Sequence, residues 1–206
     1  MATRLFFATN TSAYTPTAGS KSVALPNGTN NSLTANDDRS MLITANNSTT
    51  TVTINSIAQT ARQSGRFARF TSERLLAQTV SANTWTIAID TRESNGAANT
   101  FLALSIYVWR PSTNTRVGFI YDSNAQIDVE WPTALTPNTY TVSGAAVTAQ
   151  EGDVVVIEVW YTSAQGMATT YQNQIAYNTD QEYLETPQNL SFLVVVPNKS
   201  FAWIID

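Results

Sequence analysis

From residue 65 onward apolar and polar positions alternate in segment after segment, and a period of two places one row of side chains on the buried face of a β-strand. In residues 84–90, Trp85, Ile87 and Ile89 point one way, and Thr84, Thr86 and Ala88 point the other. In residues 102–108 the aliphatic row Leu102, Leu104, Ile106 and Val108 is opposed by Ala103, Ser105 and Tyr107, which predicts a central strand. Glu151-Gly152-Asp153 predicts a tight turn feeding a strand over 154–161, with Val155, Ile157 and Val159 inward and Glu158 and Trp160 on the outer face. Further strands are predicted at 67–71, 116–121, 127–131, 140–147, 171–177 and 190–196. No amphipathic helix of three turns is evident.

Asn95-Gly96, Pro111, Pro132 and Pro137 punctuate these segments, and many short strands at such spacing predict an all-β fold. The preferred architecture is an antiparallel two-sheet sandwich with jelly-roll or Greek-key connections. Residues 3–8 fit a first strand. The Thr-, Asn- and Ser-rich stretch that follows, with Pro16, Pro26 and Asn27-Gly28, fits an extended N-terminal arm over residues 1–60, followed by a sandwich domain over 61–206 with a C-terminal strand. The same stretch can instead belong to the sandwich, since Met41-Leu42-Ile43 is free to pair with any sheet edge. Phe201-Ala202-Trp203-Ile204-Ile205 is unusually apolar for a chain end and is expected to be tied into a sheet or a neighbour.

Composition narrows the chemistry. A chain of 206 residues that is 43% hydrophobic can bury one good core without staples. Cysteine and histidine are both absent, which removes disulfides, thiolate metal sites, the usual general base at neutral pH and the commonest nitrogen ligand for transition metals. A Ser-His-Asp triad is therefore impossible, and no nucleophile-elbow or phosphate-cradling glycine pattern occurs. Eleven Lys plus Arg against fifteen Asp plus Glu, a net charge of -4, opposes general attraction to nucleic acid. The start lacks the apolar run of a signal peptide and no stretch approaches a membrane span, so a soluble or particle-bound protein made in the cytoplasm is expected, with no membrane partner.

Several residues still invite a chemical reading. Asp128, Glu130, Asp153 and Glu158 lie near aromatics and could form a glycosidase pair, although as solvated outer-face charges they need no such role. Asp37 and Asp38 could offer oxygen to calcium, but the spacing of a calcium loop is missing and a surface turn is expected. No catalytic, cofactor or metal residue is assigned. The most uneven charge is Arg62, Arg66, Arg69 and Arg74 interleaved with Phe67 and Phe70, a mixture that suits contact with an acidic protein surface. Trp109, Trp131, Trp160, Tyr107 and Tyr161 could stack on sugars, or serve as core and interface anchors. Trp160, opposite the inward row, is the best anchor among them, and Phe201 and Trp203 complete the expected partner-binding set.

The runs Ser64-Gly65-Arg66-Phe67-Ala68-Arg69-Phe70-Thr71-Ser72 and Leu75-Leu76-Ala77-Gln78-Thr79-Val80-Ser81-Ala82-Asn83-Thr84-Trp85 resemble tailed-phage virion proteins with β-sandwich folds. The later run Gln150-Glu151-Gly152-Asp153-Val154-Val155-Val156-Ile157-Glu158-Val159 carries the same resemblance, which spans about residues 64–162. It implies a non-enzymatic structural protein of a bacteriophage virion. The expected role is a capsid decoration or cement protein that bridges copies of the major capsid protein and associates with itself, with a trimer as first expectation. The alternative it implies is a tail-associated receptor- or carbohydrate-binding domain, with a glycan as partner.

Overall fold

The computed structural model describes residues 2–16, 29–30, 38–45, 52–55, 63–123, 127–163 and 171–194. Its strands are β1 (Arg4–Thr11), β2 (Thr29–Asn30), β3 (Asp38–Leu42), β4 (Val52–Asn55), β5 (Gln63–Thr71), β6 (Gln78–Val80), β7 (Asn83–Glu93) and β8 (Thr100–Arg110). They continue with β9 (Thr115–Asp122), β10 (Ile127–Glu130), β11 (Thr136–Gly144), β12 (Val147–Ala149), β13 (Val154–Ser163), β14 (Asn173–Tyr177) and β15 (Tyr183–Glu185). One 3-10 turn, Gly96–Ala98, is the sole helical element among the described residues. The all-β expectation holds, and the long strands fall where period-two alternation placed them.

Thirteen strands make one mixed sheet in which β8, β13, β5, β3, β1, β15 and β7 are successive neighbours. All the described pairs are antiparallel except β2 and β3, which both run parallel to β5. β9 and β10 flank the edge of β8 away from β13, and β11 covers the edge of β7 away from β14 and β15. These two ends of the sheet meet: Ala145, just past β11, donates its N–H to the Ile120 carbonyl of β9 at 2.7 Å. The sheet is thus nearly closed into a barrel, with β6 and β12 forming a small second sheet beside the seam. Closure hides edges that would otherwise template pairing with other chains.

The seam needs a small residue. A Cβ on Gly144 would stand 2.7 Å from Trp85 Nε1 and 2.9 Å from Ile120 Cγ2, so only glycine lets β11 approach β9 over the Trp85 ring. Inside the barrel the predicted rows Leu102-Leu104-Ile106-Val108 and Val155-Ile157-Val159 join Trp85, Ile87 and Ile89 in one core cluster. Aromatic rings fill its centre, with Phe67 against Tyr161 at 4.8 Å, Phe7 stacked on Phe70 at 4.5 Å and Phe70 edge-on to Tyr177 at 5.0 Å.

The described parts of the expected N-terminal arm lie inside this architecture. β1 sits between β3 and β15, and Leu5, Phe7 and Met41 are fully buried in the core. Their apolar side chains complete the barrel wall, so these strands are part of the domain and do not project from it. The remainder of residues 1–60 lies outside the described residues, as does the predicted C-terminal strand beyond Val194.

Candidate binding surface

The arginine-rich strand β5 does something that strict alternation does not anticipate. Its register against β13 runs from Val159 opposite Ala68 to Trp160 opposite Arg66, leaving Phe67 as an extra, unpaired residue. This bulge rotates the strand by one position. Arg66 and Arg69, three apart, thereby emerge on the same outer face, while Phe67 and Phe70 both enter the core. Opposite them on β13 stand Trp160 and Glu158.

Glu158 is fully buried at the centre of that outer face. Its Oε1 accepts from Arg66 Nη1 at 3.3 Å and from the Tyr107 hydroxyl at 3.1 Å, and its Oε2 accepts from Trp160 Nε1 at 3.1 Å. Arg69 Nη1 lies 3.7 Å from the same carboxylate. Arg69 also makes a bidentate pair with Asp38, Nε to Oδ1 at 2.5 Å and Nη2 to Oδ2 at 2.8 Å, and donates to the Pro16 carbonyl. Burial pulls the Arg69 guanidinium towards deprotonation, but the hydrogen bonds and charge of Asp38 outweigh it and hold its pKa above the ordinary value. Burial, followed by the negative charge of Glu158, pushes the Tyr107 hydroxyl up, so it stays a donor. Every charge here is matched by its neighbours, which is what a buried ionic cluster requires.

These positions revise the expectations for individual residues. Glu158 faces outward as predicted, but it is buried and paired where a solvated charge was expected. Asp38 lies in neither a calcium loop nor a surface turn; it is the anion that holds Arg69. Asp153 is buried and takes a bidentate pair from Arg110 at 2.9 Å and 2.9 Å, while its Oδ2 also accepts from Gln150 N at 2.8 Å to fix the predicted turn. Glu130 is exposed on β10, and the side chain of Asp128 lies outside the description. Trp109, Trp131, Tyr107 and Tyr161 are buried, and Trp160 is half-buried with the Arg66 guanidinium 6.0 Å from its ring centre. Arg62, Phe201 and Trp203 fall outside the described residues. The expected arginine set is thus divided, with Arg66 and Arg69 engaged within the chain and Arg74 exposed.

Arg74 belongs to a different place. After Thr71 the chain leaves β3, whose pairing with β5 ends at Ser40 opposite Thr71. Residues 74–76 instead pair antiparallel with 191–193, through Leu76 N to Ser191 O at 2.9 Å and Leu193 N to Arg74 O at 2.8 Å. Between this pair and the end of β3 opens a groove of about 760 Å³, whose lining includes Met41, Leu42, Ile43, Phe192 and Val194. Tyr14 and Arg74 stand at its rim, Arg74 Nε donating to the Tyr14 hydroxyl at 2.6 Å. A second, more polar hollow of about 530 Å³ shares Ile43 and Phe192 with it and is bounded by Arg4, Glu185 and Asn189. Ile43 is 46% exposed and Val194 83% exposed. The whole is an apolar centre with a polar rim, the anatomy of a protein contact. Sequence reasoning passed over Ile43 and Phe192 because it treated both as strand residues with no fixed partner.

One further carboxylate is out of the ordinary. Asp90 on β7 is paired with Ala176 of β14 and Pro137 of β11, and its Oδ1 is buried without a hydrogen-bond partner. Burial, reinforced by Glu182, pushes its pKa up to about 6. Glu182 in turn accepts from Thr179 N at 2.7 Å and Thr179 Oγ1 at 2.8 Å, closing the turn that separates β14 and β15. Among the described residues no group of three or more His, Cys, Asp or Glu is placed to hold a metal ion, and no helix is long and apolar enough to cross a membrane.

No protein-family model matches the chain, and no curated protein does. Among solved structures, a CocE/NonD family hydrolase from Staphylococcus aureus is similar at a TM-score of 0.35 and 10% identity, over 93% of this chain and 36% of that one. A likeness at that level carries no argument about fold or activity. The chain spans about a third of that hydrolase's length.

Proposed function

We propose that this chain is a non-catalytic structural protein of a phage particle, a capsid decoration or cement subunit that bridges copies of the major capsid protein. The observation that carries the contact-making part of this reading is the groove around Ile43 and Phe192, an apolar floor with polar groups at its edge. Large apolar side chains exposed together on a folded surface mark a place where another surface is buried. The virion setting rests on the resemblance of residues 64–162. On this reading the nearly closed sheet is a flattened, jelly-roll-like sandwich, a shape suited to lying between neighbouring subunits.

The buried acids support the non-catalytic part. Glu158, Asp38 and Asp153 are each engaged by arginine, an arrangement that suits a structural role better than a catalytic pair for sugar hydrolysis. The alternative of a glycan-binding tail domain asks for exposed rings, yet of its candidates Trp109, Trp131, Tyr107 and Tyr161 are buried and Trp160 alone is half-buried. The test is a pull-down of purified capsids with the wild-type chain and with Ile43→Asp. The proposal expects capsid binding by the wild type, reduced at least tenfold in the variant. Equal binding by both would remove the groove from the contact, and binding by neither would remove the capsid.

A further inference from the structure

We propose that the groove between β3 and residues 191–194 accepts an extended segment of the capsid partner as an added β-strand, with apolar side chains on the groove floor and a carboxylate on Arg74. The inference rests on reading the groove as a contact surface, and it says what kind of segment the partner brings. The backbone on the β3 side argues for a strand. Phe7 N–H donates to the Glu182 carbonyl at 3.1 Å, so Phe7 turns its main-chain groups to the β15 side, and its pair with Met41 on β3 is the type without mutual hydrogen bonds. Met41 therefore turns its main-chain groups away from β1. The ladder on that other side ends where Ser40 stands opposite Thr71, because Ser72 N–H leaves for the Val155 carbonyl at 2.9 Å. Beyond it, Ile43 makes no backbone hydrogen bond among the described residues.

The opposite wall offers a second edge. Leu76 N–H donates to the Ser191 carbonyl at 2.9 Å and Leu193 N–H to the Arg74 carbonyl at 2.8 Å, which leaves Leu75 opposite Phe192 as a pair without mutual hydrogen bonds. The N–H and C=O of Phe192 therefore point away from residues 74–76, and no described backbone group meets them. Ile43 and Phe192 both border both hollows. A sheet edge left open is a template for another strand, whose main-chain hydrogen bonds supply affinity while its alternate side chains supply fit. Leu42, Ile43, Phe192 and Val194 give those side chains an apolar surface to cover.

Arg74 decides the charge of the incoming segment. Arg4, Arg66, Arg69 and Arg110 each pair with an acid of this chain, whereas Arg74 makes no ion pair among the described residues. Its place is nevertheless fixed, since Nε donates to the Tyr14 hydroxyl at 2.6 Å and the guanidinium lies 5.6 Å from the centre of the Tyr14 ring. A guanidinium held in this way, with its terminal nitrogens uncommitted, suits a carboxylate. The Glu73 side chain on the same rim has no such anchor among the described residues, so Arg74 sets the preference.

The test uses the full-length chain and synthetic peptides alone, so its failure is separate from failure of the capsid assay. The probes are capped, fluorescein-labelled heptapeptides with valine at odd positions and threonine at even ones, together with a series in which aspartate replaces each threonine in turn. Fluorescence anisotropy should show one aspartate peptide bound about tenfold more tightly than the all-threonine peptide, the gain expected of a hydrogen bond to a charged group. Arg74→Gln, a change at an exposed position, should abolish that preference without moving the melting temperature. Hydrogen exchange followed by NMR should slow at the Ile43 amide, the Phe192 amide or both when the peptide binds. Absence of binding by every peptide, a charge preference that survives Arg74→Gln, or unchanged exchange at both amides overturns the proposal.

Discussion

At the scale of the residue, Glu158 holds Arg66, Tyr107 and Trp160 together through one buried carboxylate. Replacing it with Gln leaves Arg66 and Arg69 beside a neutral amide in a buried setting, and removal of one member of a buried ion pair costs about 3 kcal/mol. Glu158→Gln should therefore lower stability in urea titration by about that amount, whereas a variant as stable as the wild type would show the network to be dispensable. Asp90 acts in the opposite sense. Its folded pKa of about 6 lies above the ordinary 3.8, so between those values the folded state holds a proton that the unfolded chain releases. Its effect is least unfavourable below about pH 4, and stability should fall as pH rises to about 6 and stay lowered above it. Asp90→Asn, which keeps the shape without the charge, should flatten that fall and raise the melting temperature at pH 7. An unchanged pH profile would show that water reaches the carboxylate. None of this was legible in the sequence, because a carboxylate on a strand looks the same whether solvent or Glu182 lies beside it.

At the scale of the element, alternation located the long strands well, and it failed where a strand departs from alternation. The rows of β7, β8 and β13 were readable because one face of each meets the core at every second residue. The bulge at Phe67 was not, and with it went the pairing of Arg66 and Arg69 against Glu158: a period of two puts residues three apart on opposite faces. The barrel seam is a second element-scale feature. Gly144→Ala places a methyl group 2.7 Å from the Trp85 indole, and such overpacking costs about 1–3 kcal/mol. A lower melting temperature with spectroscopic strand content unchanged is the expected outcome, and a neutral effect would mean that β11 and β9 can part without penalty. β1 makes a stronger demand. Deleting residues 1–16 removes Leu5, Phe7 and the partner of both β3 and β15, so the truncated chain should not melt cooperatively. A truncated chain with a sharp transition would restore the arm.

At the scale of the whole molecule, the chain pairs Glu158, Asp38 and Asp153 with its own arginines and leaves apolar side chains at a groove. The low share of charged residues, 13%, fits both facts, since the pairs of Glu158 with Arg66 and of Asp38 with Arg69 are built into the fold. Fold class was readable at this scale from strand spacing alone. Closure into a barrel was not, because it depends on contacts such as Ala145 with Ile120 between segments with no local signal for each other. The groove was equally hidden, since it is made by the divergence of β3 from β5 and the arrival of residues 191–194, three stretches distant in sequence. Its expected consequence is assembly through many modest contacts, in which multivalency supplies avidity that no single contact has. If the protein is a stoichiometric part of a capsid, as proposed, quantitative mass spectrometry of purified particles should find it at a copy number near parity with the major capsid protein. Its absence from the particles would overturn the capsid role.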